Sequence, residues 1–152
     1  MSESLSKRRL RLWIRLLLAT RVAERELSEF VRTEHDTTLP RFDVLAALHR
    51  ADGPMTMGEL SRQLLVSNGN TTTVVHRLET DGLVERTSPE HDRRVVRVTL
   101  TPAGRRHFTR LAADHERRVV ELFSVLDADE LTQLDELLQR LTSRHADRKA
   151  VR

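Results

Sequence analysis

The sequence predicts a mainly α-helical chain carrying one small β-hairpin, and three observations predict it. Apolar residues recur at helical spacing through residues 5–33 with no internal Gly or Pro, and again from 103 to about 126. Between these stretches, residues 56–81 hold two closely spaced helix starts, each with its own capping residue. Two short strand-like runs, 83–86 and 95–100, follow at once and are joined by the polar segment SPEHDRR. With 152 residues, 38% hydrophobic and 32% charged, the chain can bury a real core and suits one module with helical extensions.

The first stretch places Leu10, Trp13, Ile14, Leu17, Ala19, Val22, Ala23, Leu27 and Phe30 at helical spacing. At 1.5 Å per residue this helix runs roughly 40 Å, longer than a small domain needs. Its apolar positions occupy more than one side near Trp13 to Leu18, so part of it contacts something beyond its own domain, most economically a second subunit. Arg11 and Arg15 interrupt the apolar run and no small-residue cleavage site follows, which argues against a secretion signal. With no run of about 20 apolar residues, the expectation is a cytoplasmic chain without a membrane partner.

Pro40 suits the first turn of a helix over 41–50, with Phe42, Leu45, Ala46 and Leu48 or His49 inward, and Asp52, Gly53 and Pro54 stop it. Thr56 and Glu59 form a capping box for a short helix, 57–64. After a turn at Leu65 and Val66, Ser67 caps a helix from 68 to about 81, closed by Gly82. Thr101 with Pro102 opens the next helix, whose apolar face runs through Phe108, Leu111, Ala112, His115, Val119, Leu122 and Phe123. Asp127 and Glu130 cap the last one, where Leu131, Leu134, Leu138 and Leu141, with Leu137 beside them, make a stripe. After Ser143 the tail is polar and expected to fray.

Two short helices followed by a basic hairpin suit DNA reading: the second helix enters the major groove and the hairpin, or wing, reaches the adjacent minor groove or phosphates. Leu60, Leu64, Val66, Val74 and Leu78 can pack inward, and Ser61 is small where two helices must approach. The exposed start of the second helix offers Ser67, Asn68, Asn70, Thr71, Thr72 and Thr73, with Arg77 further along. These short side chains can meet base edges: Asn pairs bidentately with adenine and a Thr methyl touches thymine. The bland alternative is a helical hairpin whose Ser, Thr and Asn merely cap, and the wing behind it argues against that. Arg93 and Arg94 sit near the wing tip and Arg97 on the returning strand, residues suited to a narrow, A·T-rich minor groove. Asp92 cannot contact phosphate and is expected to fix the turn by accepting a hydrogen bond. Residues 56–84 hold only Arg62 and Arg77 against Glu59, Glu79 and Asp81, so phosphate attraction must come mainly from the wing and flanking helices.

The chain has no cysteine, which excludes disulfides and thiol sensing. Seven histidines form no H-x-x-x-H pair, so no metal site is expected. Asp92 beside His91 has no identifiable nucleophile, so neither an enzyme nor a cofactor is expected.

The segment MGELSRQLLVS at 57–67, RLE at 77–79 leading to GLV at 82–84, and the set Asp92, Arg94, Leu100, Thr101 and Gly104 together resemble the MarR family, the multiple antibiotic resistance regulators. The likeness covers nearly the whole chain, including the long helices at both ends. It implies a winged helix-turn-helix (40–102) flanked by helical dimerisation regions (5–33 and 103–145), with 146–152 a frayed tail. It also implies a homodimer on a palindromic double-stranded operator, with Leu10, Leu131, Leu134, Leu138 and Leu141 in the dimerisation helices. Release by a small, commonly aromatic, anionic ligand is often part of the pattern. Trp13, Arg15, Arg41 and Phe42 combine planar apolar surface with guanidinium groups, suiting an aromatic carboxylate or its coenzyme A thioester. Two positions depart from the pattern: Leu65 stands where Gly is common, and Thr73 where many relatives carry a longer basic residue. The expected function is a sequence-specific transcriptional regulator, a ligand-released repressor. The alternatives are a constitutive regulator without a ligand and a winged-helix module that binds protein.

Overall fold

The computed structural model describes residues 4–64, 71–89 and 94–150, with side chains to residue 143. It falls into two compact units, residues 1–118 and 119–152. The first unit opens with α1 (Leu5–His35), capped at Ser4, whose hydroxyl accepts from the Lys7 amide. Asp36, in the left-handed conformation at φ 46°, ends α1, and its amide donates to the Val31 carbonyl. Next comes α2 (Leu39–Ala51), with Pro40 in its first turn as the sequence predicts; its stop residue is Asp52, again left-handed at φ 48°. Asp tolerates this conformation better than most residues, so the neighbouring Gly53 is not required to adopt it.

The short helix α3 (Met57–Gln63) has both halves of the expected capping box: Thr56 Oγ1 accepts from the Glu59 amide, and the Glu59 carboxylate accepts from the Thr56 amide at 2.8 Å. The described part of the next helix is α4 (Thr71–Thr80). Gly82 closes it at φ 71°, its amide reaching the Glu79 carbonyl (2.9 Å) while the Leu83 amide reaches that of Leu78 (2.9 Å). That pair of bonds is a Schellman motif, which satisfies carbonyls the helix leaves open.

Three strands form one antiparallel sheet in the order β1-β3-β2, where β1 is Met55–Thr56, β2 Val84–Thr87 and β3 Arg97–Leu100. The sequence reading missed β1, because two residues are too few to show a period of two. Its register with β3, Met55 opposite Val98 and Thr56 opposite Arg97, makes β3 the central strand. Val84 of β2 lies opposite Leu100, and Val84, Val98 and Leu100 all face the core.

That core joins Val44, Leu45 and Leu48 of α2, Leu60 of α3, Val75 and Leu78 of α4, the sheet residues and Phe108 of α5 (Pro102–Phe123). Val31, Leu39 and Leu111 form a second cluster, with Leu27 and Phe30 against it, and Phe42 packs against both clusters. Ser61 is exposed, not at a close helix contact as expected; the close approach is at Gly104, where a Cβ would lie 1.9 Å from the Leu83 carbonyl oxygen. Thr101 secures this corner, its hydroxyl donating to the Gly82 carbonyl (2.7 Å) and accepting from the Gly104 amide (3.0 Å).

The second unit holds the end of α5 and α6 (Ala128–Ala150), with the Asp127–Glu130 capping box formed in both directions at 3.0 and 2.9 Å. Helix α6 runs on to Ala150, beyond Ser143, where fraying was expected. The Arg, Lys and Ala residues of that stretch are good helix formers, so polarity alone does not stop it. Among the described residues no helix is long and apolar enough to cross a membrane.

Candidate nucleic-acid interface

Helix α4 packs its apolar side against the rest of the unit. Val75 and Leu78 are fully buried and Val74 is partly so, and these fix the helix on α2, α3 and β2. At 100° per residue the opposite face carries Thr72, Thr73, His76, Arg77 and Thr80, and all five are exposed. Of the residues expected to meet DNA, Thr72, Thr73 and Arg77 therefore share one open face, whereas Thr71 lies half-buried on the side of Val75 and Leu78. Ser67, Asn68 and Asn70 lie outside the described residues, as do the turn residues Leu65 and Val66.

The wing hairpin follows α4 in the chain. Arg94 is exposed in a turn just before β3, and Arg97 is exposed at the head of that strand. Asp92 and Arg93 lie outside the described residues. Glu59 is held below the usual carboxylate range, first by the hydrogen bond from the Thr56 amide, then by the Thr56 hydroxyl, with Arg62 and Arg97 adding attraction. The negative charge of Glu59 is thus tied to the capping box and partly offset by Arg62 and Arg97.

Sequence reasoning missed His76, Thr80 and Arg86. His76 and Thr80 had a signal available, since His76 stands at i+3 and i+4 from Thr73 and Thr72 and Thr80 at i+4 from His76, so on the same helical face. Arg86 did not: it sits on β2 and reaches back to α4, donating through Nε to Glu79 Oε2 at 2.8 Å and lying with Nη2 3.4 Å from His76 Nδ1. Hydrogen bonds from Arg86 hold the Glu79 carboxyl below its ordinary range, and the Arg86 guanidinium is raised in turn.

Residues expected to hold a ligand are not brought together within one chain. Trp13 is 59% exposed on α1 and Arg15 is exposed beside it, whereas Phe42 stacks on His115 with ring centroids 4.2 Å apart. Trp13 precedes Leu27, the first α1 residue in the cluster around Phe42, by about 20 Å of helix. Arg41 is already engaged: its Nη2 forms an ion pair with Asp81, at the exit of α4. His107 lies near this pair, its pKa lowered by burial and then by Arg110, Arg41 and His35. Burial also lowers that of His115.

Residues expected to dimerise lie on open faces. Leu10 is 60% exposed on α1, and Leu131, Leu138 and Leu141 are 41%, 38% and 50% exposed on α6, with Leu134 half-buried. The described α1 residues from Leu5 to Ala23 carry Lys7, Arg8, Arg9, Arg11, Arg15 and Arg21 and no acid, whereas α6 carries Asp129, Glu130, Asp135 and Glu136.

Comparison with known proteins agrees with this geometry. The family model for the MarR family matches residues 35–95. The chain is 33% identical over 107 residues to the HTH-type transcriptional regulator YkoM of Bacillus subtilis, a match that covers 70% of this chain and 69% of that protein. The chain belongs to the MarR family. Its fold is similar to that of a MarR family transcriptional regulator from Silicibacter pomeroyi, with a TM-score of 0.80 at 26% identity over 94% of this chain and 99% of that one. It is also similar to a mutant MarR from E. coli complexed with operator DNA, with a TM-score of 0.73 at 29% identity over 91% and 99%. This MarR-family chain is a DNA-binding transcriptional regulator of winged-helix type, and its relatives are named as regulators.

Proposed function

We propose that this MarR-family regulator works as a homodimeric repressor that reads a palindromic operator with α4 and the wing, and releases it when a small aromatic carboxylate or its coenzyme A thioester binds. The observation that carries the reading is the open face of α4, polar and short-chained where Thr72 and Thr73 stand, mounted on a fully buried Val75 and Leu78. Ser67, Asn68, Asn70 and Thr71 complete the base-facing set in this reading. Arg77 serves the phosphates, Arg93 and Arg94 enter the minor groove, and Asp92 shapes the turn.

A second copy is the partner that suits the exposed leucines of α1 and α6, because monomers rarely leave so many large apolar side chains open. The acid-free, arginine-rich half of α1 and the acidic start of α6 carry opposite charge, which favours their meeting across two copies. In this reading residues 5–33 and 103–145 are the dimerisation region, 40–102 the DNA-binding region, and Leu10, Leu131, Leu134, Leu138 and Leu141 lie between subunits.

The Arg41–Asp81 ion pair supports the ligand response. It ties α2 to the exit of the DNA-reading helix, so an anion that takes Arg41 competes with Asp81 and loosens that end of α4. Trp13 and Arg15 join Arg41 and Phe42 in one site only if they come from the other subunit. Operator and ligand then oppose each other by one coupling free energy, and tenfold weakening needs only about 1.4 kcal/mol. Titrating hydroxylated benzoates, cinnamates and their thioesters against operator-bound protein by fluorescence anisotropy tests this. At least one is expected to weaken operator binding tenfold in the wild type and not in Arg41→Ala. Binding that leaves operator affinity unchanged rejects the ligand response and leaves DNA binding standing.

A further inference from the structure

We propose that His76 reads a purine in the major groove through its Nε2–H, and that Arg86 and Glu79 are the positioning residues that fix its ring and tautomer. The inference rests on the DNA-binding reading above and adds to it a specificity-determining residue and the kind of base atom it takes.

His76 stands on the open face of α4, one turn along from Thr72 and Thr73, and is exposed. Its Nδ1 faces Arg86 Nη2 at 3.4 Å. A guanidinium has five donors and no acceptor, so this contact can form only if Nδ1 offers its lone pair. In the neutral ring the proton must then be on Nε2, and that N–H is a donor. Histidine on a solvated surface ordinarily chooses between tautomers and swings about its side-chain bonds; here one neighbour favours a single tautomer and limits the swing.

Arg86 is itself held. It donates to Glu79 from Nε at 2.8 Å, with Nη2 directed to the same carboxylate oxygen, and β2 pairs with the central strand from Val84 to Thr87. The chain of contacts runs from sheet to arginine to histidine, with Glu79 one helical turn from His76 closing it on α4. Glu79 stays ionised because Arg86 hydrogen-bonds it. The arrangement also takes Arg86 out of contention as a free phosphate contact, since its charge is matched beside it.

A single N–H donor on the groove face meets the acceptors that line the major-groove edge of purines, N7 of adenine or guanine and O6 of guanine. An uncharged N–H donor adds specificity without releasing counterions. A phosphate contact would instead weaken binding to all sequences alike.

The test measures binding of the wild type, His76→Ala, His76→Gln and Arg86→Lys to the operator and to duplexes with each symmetric pair of positions replaced in turn. Wild-type protein is expected to discriminate at one purine pair by at least tenfold. His76→Ala is expected to lose that discrimination there and keep it elsewhere, with an unchanged salt slope. Removing the contacted acceptor at the same pair, N7 by a 7-deazapurine or O6 by 2-aminopurine in place of guanine, should weaken the wild type and leave His76→Ala unaffected. His76→Gln, which keeps a donor, should recover part of the preference, and Arg86→Lys should lose it at that pair while its thermal unfolding is followed in parallel. A uniform loss across positions, an altered salt slope, or full discrimination by His76→Ala overturns the role of His76 while operator binding stands. If the wild type prefers no duplex over any other, the DNA-reading account itself fails and His76 falls with it.

Discussion

Asp43 gives the sharpest energetic prediction. It lies on α2 with one carboxylate oxygen buried and without a hydrogen-bond partner, and its pKa is raised from 3.8 to about 6, first by burial and then by the nearby Glu24. The folded state therefore binds this proton more tightly than the unfolded chain. Stability from this group is fully present below pH 3.8, declines as pH rises, and is lost above about pH 6, where both states are ionised and the folded one carries the charge at a cost. At 1.36 kcal/mol per pH unit the gap is about 3 kcal/mol, and solvent screening of a partly exposed carboxyl reduces this to about 1–2 kcal/mol. Asp43→Asn keeps the shape and removes the charge. It should stabilise the protein by about 1–2 kcal/mol at pH 7, or about 3–6 °C in Tm for a chain of this size, and by almost nothing at pH 4. Urea unfolding followed by circular dichroism at pH 4, 5, 6 and 7, at one fixed protein concentration, measures it. An Asn variant that is less stable at pH 7, or a difference that does not change with pH, refutes the reasoning by showing that the carboxylate is better solvated or partnered than its surroundings suggest.

Three other substitutions probe separate parts of the account. Gly104→Ala should destabilise by about 3 kcal/mol in urea unfolding, the upper range for overpacking, because the new Cβ meets the Leu83 carbonyl oxygen at 1.9 Å and both partners there are backbone. Thr56→Ala should cost about 1 kcal/mol by removing the side-chain half of the capping box at the start of α3, with little change in the unfolding slope. Leu138→Asp should shift sedimentation from dimer to monomer by placing an unpaired charge in an apolar contact; a folded, dimeric variant removes Leu138 from the interface.

Much of this fold was legible because its signals are local. The capping boxes at Thr56–Glu59 and Asp127–Glu130, the Gly82 stop, and the Thr101–Pro102 helix start each lie within four residues, and each forms as read. What escaped depends on long-range contact. Arg41 pairs with Asp81 across 40 residues, so its suitability for a ligand could be read from the sequence but its existing partner could not. The need for glycine at 104 comes from the Leu83 backbone, and Ser61, small for no packing reason, could not be told from Gly104 without it. Val75 was overlooked as core although it is fully buried, because Val74 beside it also fits the apolar period. At the interface, the open face of α4 was half legible: Thr72, Thr73 and Arg77 follow from spacing, whereas the tie from Arg86 to His76 crosses from a strand to a helix.

Salt titration on a palindromic operator shows whether α4 and the wing bind DNA. Log K should fall linearly with log salt on the operator, and the operator should be preferred over a scrambled duplex of the same composition. In the proposed dimer Arg94→Ala removes two charges and should make the slope shallower by about 2, at roughly 0.9 per lost phosphate contact. Binding that is insensitive to salt, or equal on operator and scrambled duplex, contradicts the account.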